Sequence, residues 1–405
     1  MRSAIGIKSV IFAGQYPGYR SNRVPTFFLT AAEHSGDALG ASLIRALKKR
    51  DPEALFVGVG GEQMAAAGCR LIANPVKRSA MLAGAFLTEA RYWWKTLGLI
   101  KRELRRNKPQ VVIPIDSSAI NLRIAQIARG EGIPVCYLVA PQVWASRPGR
   151  IRKIKEYVNT LCCIFPFEER YFRDRGVNGV YVGHPMFDVP ADSSETDPAR
   201  LDPPLPAGSP RIALFPGSRR AEIRAHMPAM LEIISEIKGR FPRSSFVVAA
   251  PSAEKAWQLR GILKNHGGQA EIRVDVSDAV IRWSDLVVTK SGTATVQIAR
   301  HARPMVAMFA VPWWQWQFAR HFITTRWLVM VNILAGRELV PEFIPYHGRS
   351  LPIARECIEL LSNAELRSAM VKGLGEVAAQ LMPQGGLMAA ERAALEVEKL
   401  LQKPV

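Results

Sequence analysis

Cysteine is scarce in this chain and is not spaced for chemistry. The 405 residues hold five, Cys69, Cys136, Cys162, Cys163 and Cys357, with no C-x-x-C pair. Cys162 and Cys163 lie in an apolar run, which reads as buried thiols in a reducing compartment and argues against a disulfide framework. The seven histidines are scattered, and no Asp-x-Asp element stands out, so no metal is expected. No apolar stretch is long enough to span a bilayer. The first 25 residues carry no clear targeting signal, because Lys8 interrupts their only apolar run, Ile5 to Ala13, and no cleavage site follows. They read as an extension. Acidic residues are few as well: 35 Asp plus Glu against 54 Lys plus Arg give a formal charge of +19. That balance suits an anionic partner, or it is simply a basic solvated surface. There is no fixed-period repeat and no low-complexity tract.

What is present is a globular composition, 48% hydrophobic and 22% charged, at a length that suits two domains. Thr26 to Thr30 reads as a strand, followed by a helix from about Gly36 to Lys49 with Leu39, Leu43, Ile44 and Leu47 on one face. Apolar runs at 55–59, 111–115, 135–139, 161–165 and 180–182 alternate with helical patterns. Continuous apolar runs between helices indicate a parallel sheet covered on both faces. From near Asp188 to Pro210 the pattern dissolves into Pro, Asp and Ser, which reads as a linker. A second series follows at 212–214, 246–250, 286–288 and 305–309, and the tail from Pro352 reads as helices broken at Gly385-Gly386. The expected organisation is an extension over 1–25, a first domain over 26–190, a linker over 191–210, a second domain over 211–351 and C-terminal helices over 352–405.

The most informative features are two glycine-bearing turns. Phe215-Pro216-Gly217-Ser218-Arg219-Arg220 follows one buried run, and Lys290-Ser291-Gly292-Thr293-Ala294-Thr295 follows another. Each reads as strand, tight turn and helix start, which leaves backbone N–H groups free where a phosphate can dock. Two such turns on one sheet can hold the two ends of a diphosphate. Arg219 beside the first turn can add two charge-assisted bonds, or be a surface arginine. Gln297, one helical turn beyond the second, can reach a ribose hydroxyl or face solvent. Helix dipoles and a basic cleft can stabilise a departing diphosphate without a metal.

In the first half, Asp116 ends the run Val111 to Ile115. A carboxylate there can take a proton from an attacking hydroxyl, or cap the helix that follows. In Glu33-His34-Ser35-Gly36-Asp37, Gly36 permits close backbone approach and Ser35 or Asp37 can cap a helix. Glu33 has no capping role and reads as a substrate contact. His184, in Gly183-His184-Pro185, can touch a sugar or phosphate, or pack with one hydrogen bond. Tyr92-Trp93-Trp94-Lys95 opens a helix with Trp93, Leu97, Ile100 and Leu104 on one face and basic residues around it. Trp313-Trp314-Gln315-Trp316 precedes Arg320, His321 and Arg326. Tryptophan beside basic residues fits a lipid headgroup layer, and equally a core-packing helix with a basic edge. The same interleaving fits single-stranded nucleic acid, but no recognition module of that kind is visible.

Taken in order, these motifs resemble the lipid-A-disaccharide synthase family from about Thr30 onward. The residues that carry the resemblance are Glu33 with Ser35-Gly36-Asp37 and Leu39-Gly40-Ala41; Phe56-Val57-Gly58 with Gly60-Gly61; Ile115-Asp116 and Asn121; Val143-Trp144-Ala145; Phe165-Pro166-Phe167-Glu168; Val182-Gly183-His184; Pro216-Gly217-Ser218-Arg219 with Glu222; Ser291-Gly292-Thr293-Ala294; and Asn332 with Leu334-Ala335-Gly336-Arg337-Glu338-Leu339-Val340-Pro341-Glu342. The resemblance implies an α/β fold of glycosyltransferase-B architecture, with two Rossmann-like doubly wound domains facing a cleft. It implies an inverting transfer that joins UDP-2,3-diacylglucosamine to 2,3-diacylglucosamine 1-phosphate and releases UDP, with no cofactor and no metal. Asp116 becomes the base, and Gly217, Ser218, Arg219, Ser291, Gly292, Thr293 and Gln297 become the UDP grip. Further substrate contacts are implied at Glu33, Ser35, Gly36, Asn121, His184, Asn332, Arg337 and Glu338. The implied setting is cytoplasmic, peripheral to the inner membrane, in a homodimer whose C-terminal helices swap between subunits.

The chain departs from the family pattern in a few places. Gln297 stands where the family usually has Glu; a neutral acceptor weakens UDP binding by on the order of 1 kcal/mol. Ala119 replaces a second carboxylate after Asp116, Ala85 replaces the acid of a Met-Gly-x-x-Glu-type element, and Ala31-Ala32-Glu33 replaces Ala-Gly-Glu. These first-domain changes fall on the acceptor side. They leave open a non-catalytic or altered-specificity relative, or another sugar-nucleotide enzyme of the same architecture, such as an epimerase or a peptidoglycan glycosyltransferase.

Overall fold

Phe27, Phe28 and Leu29 are all buried, so their strand has apolar cover on both faces. The structure, a computed structural model, describes residues 24–77, 86–116, 118–188, 191, 196–264, 270–346, 348–382 and 385–402. Seven parallel strands form the first sheet: β1 (Thr26–Ala31), β2 (Leu55–Val59), β3 (Cys69–Ala73), β4 (Val111–Ile115), β5 (Cys136–Leu138), β6 (Thr160–Cys163) and β7 (Gly179–Tyr181). They lie in the order β3-β2-β1-β4-β5-β6-β7. The second sheet has six: β8 (Arg211–Phe215), β9 (Ser245–Ala250), β10 (Glu271–Val274), β11 (Leu286–Lys290), β12 (Met305–Ala310) and β13 (Glu342–Tyr346), in the order β10-β9-β8-β11-β12-β13. Both are doubly wound. The strand order reverses between β1 and β4 in one sheet and between β8 and β11 in the other, and those reversals are where such sheets open a ligand crevice.

The two-domain α/β architecture is the one expected. Three strands escape the sequence reading: β3, β10 and β13. All three are sheet edges, where one side is unpaired and a continuous apolar run is not needed. Their sequences show it, with Arg70 in β3, Glu271 and Arg273 in β10 and Pro345 in β13. All five cysteines are buried and free.

The tail divides between the two domains. The helices Leu351–Ser362 and Ala364–Leu381 cover the second domain, but the last helix, Ala389–Leu401, returns to the first. Its Ala393, Ala394, Val397 and Leu400 join the core built on Phe27, Leu29, Ile113 and Ile115. Ala389 N–H donates to Asp188 Oδ1 at 2.8 Å, and Lys49–Glu391 and Arg50–Glu398 bridge its exposed side. Surface pairs of this kind contribute at most about 1 kcal/mol each, so apolar burial holds the helix.

The domains also meet through loops at strand C-termini. Thr324 N–H donates to Ala145 O at 3.2 Å, the Thr324 hydroxyl donates to Trp144 O, and Ser146 and Ile323 form an antiparallel bridge. The loop after β5 thus touches the segment after β12, so the C-terminal ends of β5 and β12 lead into loops that meet.

The helix Phe86–Asn107 buries Ile100 and Leu104, with Leu97 packed against the same core. The core-packing reading therefore wins for the face marked by Trp93. Trp94, on another face, is 77% exposed beside Lys95, Lys101 and Arg102. On the second domain, the helix Trp313–Ala319 presents Trp313, Trp314 and Phe318 to solvent, and Phe318 rests against Phe322. Among the described residues, no helix is long and apolar enough to cross a membrane.

Candidate active site

The turn after β8 is shaped by one glycine. Gly217 has φ +115°, and a Cβ there would lie 2.5 Å from Glu222 Oε2. Only glycine tolerates both the dihedral and the crowding. The next two residues lead into the helix Arg220–Arg240, and here the structure corrects the sequence reading. The amides of Ser218 and Arg219 are not free: both donate to Glu222 Oε2, at 3.0 and 3.2 Å. Glu222 stands at the third position of the helix, where a carboxylate reaches back over the helix start. Its other oxygen, Oε1, is 3.1 Å from Lys290 Nζ and 3.7 Å from an Arg219 guanidinium nitrogen. Burial opposes the Glu222 charge, but Lys290 and the two amides outweigh it and hold the carboxyl below the ordinary glutamate range.

The turn after β11 keeps its amides open. The N–H groups of Gly292, Thr293 and Ala294 find no acceptor among the described residues. Ser291 does not join them: its amide continues the sheet to Met308 O at 2.9 Å, and its hydroxyl donates to Leu328 O at 3.3 Å. Lys290, the last residue of β11, lies between the turns, with its ammonium 5.2 Å from the Phe309 ring centre. His226 fastens the first turn's helix to β12. It accepts from Ala310 N–H at Nε2 (2.9 Å), so Nδ1 carries the proton and donates to Glu222 O at 2.7 Å. Burial is the main reason its pKa is lowered, which keeps the ring neutral.

The turns converge on a pocket of about 420 Å³ at the β8–β11 reversal. Gly217, Ser218, Arg219, Gly292, Thr293 and Gln297 all line it, together with Glu222, Lys290, Ser277 and Pro251. Gln297 Nε2 donates to Asp278 Oδ1 at 3.1 Å, and His301 and Arg300 also hold that carboxylate. The amide is thereby oriented, and its carbonyl oxygen has no donor among the described residues. Burial opposes the charge on Asp278, but His301, Gln297 and Arg300 together lower its pKa.

At the reversal in the first sheet, Asp116 is exposed, with backbone φ +52°. Its own carbonyl accepts from Asn121 Nδ2 (2.7 Å) and from the Tyr137 hydroxyl (2.6 Å). The helix behind it begins at Ser118, so its capping position falls on residue 117, outside the described residues. Asn121 is corrected from substrate contact to brace. It is buried, with both amide hydrogens used: it accepts from Thr30 Oγ1 at 2.9 Å and donates to both Ile115 O and Asp116 O at 2.7 Å. Glu33 and Ser35 are exposed near the end of β1, and Gly36 is buried against Ala31 and the Ile115 carbonyl. Glu33 itself occupies the N-cap of the helix His34–Arg50, without a side-chain bond. Asp37 caps a different helix, Glu62–Ala66, through the amides of Gly61, Gln63 and Met64.

Four other expected contacts lie elsewhere. His184 is buried between Phe165 and Phe187, with Nδ1 accepting from Met186 N–H. Burial lowers its pKa to about 4, so it is a packed neutral ring. Asn332 is fully buried and spends itself on Val340 O, Glu342 and the amides of Leu339 and Val340, pinning the segment before β13. Arg337 and Glu338 are exposed, and Arg337 lies over Gly373 of a C-terminal helix, outside the lining of the pocket. Residues 85 and 119, where the acids of the family pattern are missing, carry no described side chain. Sequence reasoning overlooked Lys290, Ser277 and the part played by Glu222. Lys290 carried a signal: a lone cation closing an apolar strand, directly before a glycine turn.

The family model described as lipid-A-disaccharide synthetase matches residues 27–394. The lipid-A-disaccharide synthase of Solibacter usitatus is 33% identical over 389 residues, covering 94% of this chain and 99% of that protein. Among solved structures, a putative UDP-N-acetylglucosamine 2-epimerase from Listeria monocytogenes superposes with a TM-score of 0.63 at 13% identity, covering 95% and 98% of the two chains. The UDP-GlcNAc 2-epimerase from Neisseria meningitidis bound to UDP-GlcNAc gives 0.59 at 12% identity, covering 94% and 100%. At those identities the structural likeness speaks for the fold alone.

Proposed function

The chain belongs to the lipid-A-disaccharide synthetase family, and from that premise we propose that it joins UDP-2,3-diacylglucosamine to 2,3-diacylglucosamine 1-phosphate. The observation that carries this reading is the convergence of two glycine turns and Lys290 on one pocket at the second sheet's reversal. Open amides on one turn, an arginine on the other and a lysine between them suit a diphosphate. Gln297, held by Asp278, offers its carbonyl to a ribose hydroxyl. In the first domain Asp116, set by Asn121 and Tyr137, takes the proton of the acceptor's 6-hydroxyl as that oxygen attacks the anomeric carbon from the face opposite UDP. Configuration inverts, and the charge that develops on the leaving diphosphate is met by Lys290, Arg219 and the open amides, with no metal assigned to the step.

The acceptor and donor are both acylated, so the enzyme works at the cytoplasmic face of the inner membrane. Exposed Trp94, Trp313, Trp314 and Phe318 near basic side chains favour such a setting. The last helix, here folded on its own chain's first domain, is the element that an exchanged homodimer would trade. The test is product analysis. Purified protein with both substrates releases UDP and yields an acylated disaccharide 1-phosphate by mass spectrometry, while non-acylated acceptors give little. Product from non-acylated acceptors alone, or epimerised donor without transfer, overturns the assignment.

A further inference from the structure

Among the described residues Glu222 is the one acid lining the pocket, and its position is unusual for a site meant for a diphosphate. Its carboxylate accepts from the amides of Ser218 and Arg219 and pairs with Lys290, with the Arg219 guanidinium beside it. Those four groups are the donors on that side of the pocket that an incoming phosphate would use. We infer that Glu222 is a resident anion in the diphosphate seat, and that the nucleotide binds by taking Lys290 and the two amides from it. The inference rests on the reading of this pocket as a nucleotide-diphosphate site.

The physical reason is like-charge exclusion. A phosphate placed on Lys290 with the carboxylate still 3.1 Å from the same ammonium would set two anions side by side. One must leave, and the glutamate can, because its side chain has free torsions and the pocket opens to water. The exchange does two things. It keeps Lys290 paired and the amides satisfied while the site is empty. It also returns a competitor to the seat when the diphosphate is to depart, so the donor half of the site is not trapped by its own product. Glu222 is therefore an affinity-setting residue and Lys290 a diphosphate-binding one. Gly217 shares in this: its missing Cβ is the space in which the carboxylate sits.

Calorimetry with UDP and uridine separates the possibilities. Glu222→Gln keeps an oxygen for the two amides and removes the charge. The expected result is UDP binding about tenfold tighter than in the unsubstituted protein, with uridine unchanged. Equal or weaker UDP binding by folded Glu222→Gln overturns the inference. Lys290→Met gives an arm that does not depend on that variant folding: UDP binding weakens by about tenfold while uridine is unaffected, and unaltered UDP binding overturns the inference. A protein without substitutions that shows no heat with UDP refutes the nucleotide reading of the pocket itself, and this inference with it.

Discussion

Glu168 offers a prediction whose size follows from the structure. It is fully buried at the start of the helix Pro166–Arg173, and its carboxylate accepts from Trp144 Nε1 at 2.9 Å and from the amides of Ile164 and Phe165 at 3.1 Å. Burial dominates over these three bonds and pushes its pKa from 4.5 up to about 7. A carboxyl raised in the folded state binds more protons there than in the unfolded chain between those two values. Its stabilising contribution is therefore full below pH 4.5 and is lost as pH rises through about 7. Between pH 5 and pH 8 the loss amounts to about 2–3 kcal/mol. Trp144 also carries the loop that Thr324 grips, so the effect reaches the contact between domains. The assay is urea unfolding of the natural protein and Glu168→Gln at both pH values. The variant carries a constant cost from its misplaced amide hydrogens, but that cost does not titrate. The stability gap between the two proteins should move by about 2–3 kcal/mol, in the variant's favour at pH 8. A gap that moves by less than about 0.5 kcal/mol refutes the reasoning.

Other substitutions probe the two halves of the site. Asn121→Ala strips partners from Thr30 and from the carbonyls of Ile115 and Asp116; it should cost about 1–3 kcal/mol in urea unfolding and slow turnover while UDP affinity holds. Gly217→Ala puts a side chain at φ +115°, which shifts the turn that carries Ser218 and Arg219; calorimetry should show UDP affinity lowered by about tenfold or more, and normal affinity would remove the turn from the site. Arg219→Ala should lower the steady-state rate by roughly 100-fold if the guanidinium meets the leaving diphosphate, and an unchanged rate would show that it does not.

Much of this architecture was legible because buried parallel strands announce themselves. Val111 to Ile115 and Leu286 to Val288 are apolar throughout, since both faces of each sheet are covered. Three of the four edge strands were not legible, because residues such as Arg70, Glu271 and Pro345 break the pattern where pairing is one-sided. At the site, backbone features read well: the glycines of both turns stand where a side chain would collide or where φ is positive. Side-chain partnership read poorly. Nothing in the spacing of Asn121 or Asn332 tells that each is buried and bonded: Asn121 meets Thr30 only because β1 lies beside β4, and Asn332 meets Leu339, Val340 and Glu342 only because the intervening turn folds back on it. The same is true of Glu222, whose helix-start position was visible but whose pairing with Lys290 depends on β8 and β11 lying side by side.

Transfer itself is tested most directly by pairing turnover with binding in Asp116→Asn. The variant should bind UDP within about twofold of the natural protein. Its UDP release from the acylated donor and acceptor should fall by roughly 100-fold or more. A variant that turns over at the natural rate would show that Asp116 is not the base, and would contradict the division of labour between the two domains.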